Sequence, residues 1–135
     1  MSGSNTIHPL LKVVPYVLAL GIGALAFFIY HFEARNAIEK TNLDFPLLTF
    51  DEAVSAKVLE IYCPPEVRCA TPPFWIVLDD HRKISIKTYN DLDSRVTFAS
   101  IISIGDSLEK RKHSDTLFVF EDEKVNKFPL KFILD

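Results

Sequence analysis

The chain has 135 residues, 48% of them hydrophobic, with a net charge of −3, which suits one domain plus an anchor. The charge is unevenly placed: from Glu33 onward stand 14 Lys and Arg against 18 Asp and Glu, a net of −4. So mildly acidic a domain argues against nucleic acid as a partner and against adhesion to anionic lipid.

Residues 1–12 read as an N-terminal tail. From Val13 to Phe32, 20 residues follow without Asp, Glu, Lys or Arg. At about 1.5 Å per residue they reach roughly 30 Å, the thickness of a bilayer's hydrocarbon core. Lys12 precedes the run, and Glu33 and Arg35 follow it. Tyr16 and Tyr30 stand toward its ends, where amphipathic rings favour the lipid–water boundary. Residues 13–32 are therefore predicted to be a transmembrane helix and the chain a single-span membrane protein. Pro15 is expected in the first turn, where its missing N–H is tolerated. Ala19 and Gly23 form a small-xxx-small pair around Gly21, which permits close helix packing. A homodimer through this face is permitted, but nothing else in the sequence supports it.

Lys12 on one side and Arg35 and Lys40 on the other leave the positive-inside rule undecided. The short tail resembles that of a signal anchor, and the cysteine pair below suits an oxidising compartment. Together they predict a cytoplasmic N-terminus and an extracytoplasmic C-terminal domain. The rival is a cleaved signal peptide with its site at Ala24-Leu25-Ala26. Against it, the apolar run continues through Phe27, Phe28, Ile29 and Tyr30.

Residues 33–52 read as a juxtamembrane helix and connector. Glu33–Lys40 is rich in good helix formers. Asn42 is the expected end, and Pro46 argues against helix in Leu43–Phe50. Residues 53–135 then read as a small β-rich domain. Strands are expected at Ser55–Tyr62, Phe74–Leu78, Lys83–Tyr89 and Leu117–Phe120, with a less regular stretch at Arg95–Ile102. Phe128, Leu130, Phe132 and Leu134 alternate and are expected to face the core. Asn90–Asp93 and Gly105–Ser107 are expected turns. Five or six short strands with polar turns predict an all-β small barrel or sandwich behind the helix.

Cys63 and Cys69 close the segment Cys-Pro-Pro-Glu-Val-Arg-Cys, a disulfide candidate in an extracytoplasmic domain. The alternatives are two free thiols, or a metal site that would need two more ligands, for which the nearest downstream candidate, His81, stands alone. Pro64, Pro65, Pro72 and Pro73 stiffen this loop, which is a candidate recognition surface. Asp79-Asp80 and Glu121-Asp122-Glu123 lack the spacing and glycine of a calcium loop and read as solvated turns. Lys110-Arg111-Lys112-His113 is a compact basic run on an expected surface loop, suited to a phosphate or an acidic partner.

Gly105-Asp106-Ser107-Leu108 resembles the first signature block of the GDSL esterases and lipases, in which the serine is the nucleophile. The resemblance implies attack by Ser107 with a histidine base. It covers four residues and departs from the family elsewhere. His113 is the only later histidine, Lys110 stands where the family's Asp-x-x-His places its aspartate, and the remaining blocks have no counterpart. The tetrapeptide is read as a chance match, and as a turn. The layout of one helix and a small β-domain resembles uncharacterised single-span proteins of bacterial envelopes, which implies no activity. The sequence thus points to a membrane-anchored, non-enzymatic module that binds a protein partner or supports an envelope complex. No catalytic residue, metal or cofactor is expected. A small-ligand or lipid-binding module and a serine hydrolase using Ser107 are the alternatives.

Overall fold

The computed structural model of the chain describes residues 9–92 and 96–132. It divides into two compact units, residues 1–36 and 37–135. The first is helical. Helix α1 runs unbroken from Pro9 to Asp44, 36 residues, so the expected span and juxtamembrane helix are one element. Every residue from Pro9 to Glu33 is exposed, and the helix is long and apolar enough to cross a membrane. Pro15 lies inside the helix rather than in its first turn, because helical structure is already present at Pro9. Its ring removes the amide that would otherwise bond the carbonyl one turn earlier.

The second unit is a six-stranded antiparallel sheet. Its strands are β1 (Val54–Tyr62), β2 (Phe74–Leu78), β3 (Lys83–Ile86), β4 (Ser107–Lys110), β5 (Thr116–Glu121) and β6 (Lys124–Pro129), in the order β3-β2-β1-β4-β5-β6. A single-turn helix, α2 (Phe98–Ile101), stands between β3 and β4, where a less regular strand was expected. The expected strand count is met, and the sheet is open in its ladder order. Two meanders share β1 at the centre, and the register shifts between Val58 and Glu60. That bulge leaves Leu59 exposed while Val58 and Ile61 both pack toward the core.

Both edges of the sheet are occupied. At β3, the Ser85 amide donates to Pro46 O (2.9 Å) and Ser85 O accepts from Leu48 N–H (2.9 Å), so the connector covers this edge. β3 is also three residues shorter than expected, because the chain leaves β2 and reaches toward β6. There Lys87 O accepts from Lys131 N–H (2.8 Å), and Leu92 N–H donates to Lys127 O (2.8 Å). Thr88 Oγ1 donates to Pro129 O (2.7 Å), and Asp91 Oδ2 accepts from Lys127 N–H (2.7 Å).

The core lies on the concave face formed by this curl. Phe98, fully buried, meets the Phe74 ring of β2 at 5.0 Å and the Phe128 ring of β6 edge-on at 5.1 Å. It thereby joins strands from opposite ends of the ladder. Of the alternating C-terminal residues, Phe128 and Leu130 are buried, Phe132 is partly buried, and Leu134 lies outside the described residues. The expected tail before Pro9 and the segment 93–95 also lie outside them.

On the opposite face, the end of α1 meets the sheet. Trp75, 2% exposed, donates its indole N–H to Asn42 Oδ1 at 3.0 Å. Thr41 is buried beside it, and Phe45 stacks on Tyr62 at 5.3 Å between centroids. Tyr62, Trp75 and Ser85 are successive partners across β1, β2 and β3, so one row of side chains receives the last turn of α1 and the connector.

Phe98→Ala should lower the unfolding free energy by about 3–5 kcal/mol, the range for emptying a packed aromatic site. Leu59→Ala, on the exposed bulge, should stay within about 0.5 kcal/mol of the parent. Denaturant titration of the full chain in detergent, followed by fluorescence of Trp75, the chain's one tryptophan, measures both. Equal effects would remove Phe98 from its central place.

Candidate functional site

Cys63 and Cys69 follow β1, with their Sγ atoms at disulfide distance, 1.98 Å, and their Cα atoms 5.9 Å apart. Pro64 is buried and its carbonyl accepts from Val67 N–H at 3.0 Å, which folds the intervening residues into a turn. Among the described residues no group of three or more His, Cys, Asp and Glu side chains is placed to hold a metal ion. Asp80 instead pairs with Arg82 Nε at 2.7 Å. Slight burial pushes its carboxyl pKa up. The Arg82 amide and guanidinium outweigh this and hold it below its ordinary value. Asp79 Oδ1 accepts from Lys57 N–H at 3.0 Å.

Ser107 opens β4, opposite Lys57 on β1 and Phe120 on β5, where a turn was expected. The turn is formed just before it, by Gly105 at φ 96° and by Asp106, whose Oδ2 accepts from Ser103 N–H at 2.8 Å. His113 lies beyond the other end of β4. The strand alone separates the two by roughly 10 Å at about 3.3 Å per residue. The imidazole Nδ1 of His113 faces Asp51 Oδ1 at 2.9 Å, and its amide donates to Phe50 O at 2.9 Å. The serine and histidine of the esterase-like reading are therefore not brought together.

The basic run is divided by the pleat. Lys110 points inward and is 2% exposed, a correction to the expected surface loop. Its ammonium donates to the carbonyls of Phe50 (3.0 Å), Glu52 (2.5 Å) and Arg111 (3.2 Å) and lies 5.9 Å from the Phe132 ring centroid. Burial lowers its pKa below the ordinary lysine value, and the nearby charges of Glu52 and Asp51 only partly offset this. Lys110 thus fastens residues 50–52 of the connector to the end of β4.

Arg111 and Lys112 are exposed, and their side chains make no hydrogen bond or ion pair with the described residues. They border an open trough of about 550 Å³ on the outward face of β1 and β4, lined also by Ser55, Arg82 and Glu109. Ser55 and Glu109 are register partners and form its floor. Arg82 reaches over the start of β1, its Nη1 donating to Ala53 O at 3.2 Å. A second hollow, lined by Lys57, Asp79 and Ser107, continues from the same Ser55 and Glu109. Sequence reading singled out Arg111, Lys112 and Ser107 but missed Ser55, Lys57 and Arg82. Ser55 and Lys57 on β1 and Arg82 between β2 and β3 join the β4 residues only through the pairing of β1 with both β2 and β4. Comparisons with protein-family models, curated proteins and solved structures give no match to the chain.

Lys110→Met should cost about 1–3 kcal/mol at neutral pH, because buried carbonyls lose their donor. The folded-state pKa of Lys110 lies below its unfolded value, so the unfolded chain binds more protons as pH rises between the two. Parent stability contributed by this group therefore rises with pH through that window, up to about pH 10.5. The gap between parent and Lys110→Met should widen over the same window in denaturant titrations at successive pH values. A gap independent of pH would mean that Lys110 titrates as a solvated side chain.

Proposed function

We propose that the chain is a single-span membrane protein whose extracytoplasmic β-domain is a non-catalytic module that holds a partner protein. The observation that carries this is the exposure of α1: from Val13 to Phe32 its apolar surface is exposed, with none of the described residues burying it. A surface of that size is stable in lipid and not in water. The orientation rests on the cysteine pair at bonding distance, which suits an oxidising compartment. The domain itself we read as a small barrel, drawn closed where residues 87–92 bond residues 127–131. Its interior is filled by side chains such as Phe98, Phe128 and Leu108, each fully buried, which leaves little room for a lipid or small ligand. The separation of Ser107 from His113, and the pairing of His113 with Asp51, support a binding role over hydrolysis.

Spheroplasts of a bacterial host expressing the full chain test the topology. Added protease should digest the domain and leave a small fragment in the membrane. Both cysteines should resist alkylation in unfolded, unreduced protein. Protection of the domain, with both thiols alkylated, would reverse the orientation. A soluble product lacking residues up to Ala26 would replace the anchor by a cleaved leader.

A further inference from the structure

We propose that the outward trough of β1 and β4 receives an acidic segment of the partner protein; this rests on the partner-binding reading and names the chemistry of its site. The domain is acidic as a whole, yet the lining of this trough is mostly basic. Arg82, Arg111 and Lys112 rim it and Lys110 lies beneath it, against Glu109 on the floor; Asp80 pairs with Arg82, and Asp51 and Glu52 lie near Lys110, which leaves Arg111 and Lys112 as its unpaired cations among the described residues. The ammonium of Lys110 is held by carbonyls with the carboxylates of Glu52 and Asp51 nearby, so the field over the trough is set chiefly by the exposed Arg111 and Lys112. Arg111 and Lys112 have no partner among the described side chains. They extend into solvent although Glu109 stands only two residues before Arg111.

The lining selects among occupants. Hydroxyl groups of Ser55 and Ser107 and charged side chains supply polar contacts along the floor. Neither hollow is lined by an aromatic ring on which a sugar would stack. An extended peptide with carboxylates fits: its acidic side chains reach the guanidinium forks, and its other polar groups meet the serines. The adjoining hollows give it a path along the β1–β4 ladder rather than a single anion pocket.

The test uses the full chain in detergent and a short synthetic peptide of alternating Glu and Ser as probe. Binding should weaken steeply with added salt. NMR shifts should gather at Ser55, Arg82, Glu109, Arg111 and Lys112. The double reversal Arg111→Glu/Lys112→Glu should lower affinity by about tenfold or more, a difference of about 1.4 kcal/mol or more. The fluorescence of Trp75 should not change in this variant, since both side chains are exposed and unpaired. Failure of the peptide to bind, or binding that the reversal leaves unchanged, overturns the proposal. So does preferential binding of inorganic phosphate or of phosphatidylglycerol vesicles, which would make the trough a phosphate site. In cells, a crosslinked partner retained by the reversed variant overturns the trough and leaves the partner-binding reading standing. Absence of any crosslinked partner from the parent chain counts against that reading itself.

Discussion

One aromatic side chain sets the shape of the β-domain. A six-stranded sheet with β3 and β6 at opposite ends has no ladder between those strands, and a right-handed twist alone does not bring its edges together. Phe98 does, by placing one ring between Phe74 of β2 and Phe128 of β6. The backbone bonds from residues 87–92 to residues 127–131 span the same gap. The curl sets an apolar concave face against an outer one that is polar over β1 and β4 but receives the last turn of α1 on Trp75. A domain of this size buries a modest fraction of its surface, so a fully desolvated aromatic cluster is a large share of its core.

Two polar contacts extend the same logic to the segment that precedes β1. At one end of the sheet, the Trp75 indole holds Asn42 in the last turn of α1. At the other, Lys110 gathers the carbonyls of residues 50–52 around a buried ammonium. Between them the connector lies along the edge of β3 through Ser85. The connector is therefore a structural part of the domain, not a tether, and its bonds cover an edge that would otherwise present free amides and carbonyls. The Ser85 hydroxyl stays buried beside this contact without a hydrogen-bond partner among the described residues. That leaves a modest unmet polarity where the connector meets the sheet.

Elements whose side chains follow one simple period were legible in the sequence. The apolar run within α1 and the alternation or apolar continuity of β1, β2 and β5 each announce themselves over five or more residues. α2 did not, because a single turn has no periodicity, and its one decisive residue, Phe98, reads like any other phenylalanine. β4 was hidden for a different reason. In Ser-Leu-Glu-Lys the inward positions are Leu108 and Lys110, and a lysine that turns inward imitates the outward half of the pattern. Its burial depends on three carbonyls supplied partly by residues about sixty positions earlier, which no local rule contains. The trough was illegible on the same grounds. Arg111 and Lys112 stood out as a run, but Arg82 and Ser55 acquire meaning only from the pairing of β1 with both β2 and β4.

The two units present surfaces of opposite character, and this contrast bears on what such a chain can do. From Val13 to Phe32 the helix carries no Asp, Glu, Lys or Arg on any side, and it is long and apolar enough to cross a membrane, a character that specifies no particular neighbour. Over β1 and β4 the outer face of the domain is polar and carries the unpaired cations Arg111 and Lys112, which in water contribute little to folding stability. Charges with no stabilising role remain available for recognition. Lys110, one residue away from Arg111, shows the other fate of a cation on the same strand end: turned inward, it is committed to the fold. The pleat thus separates adjacent basic residues into one that fixes the connector and two that face whatever approaches the sheet.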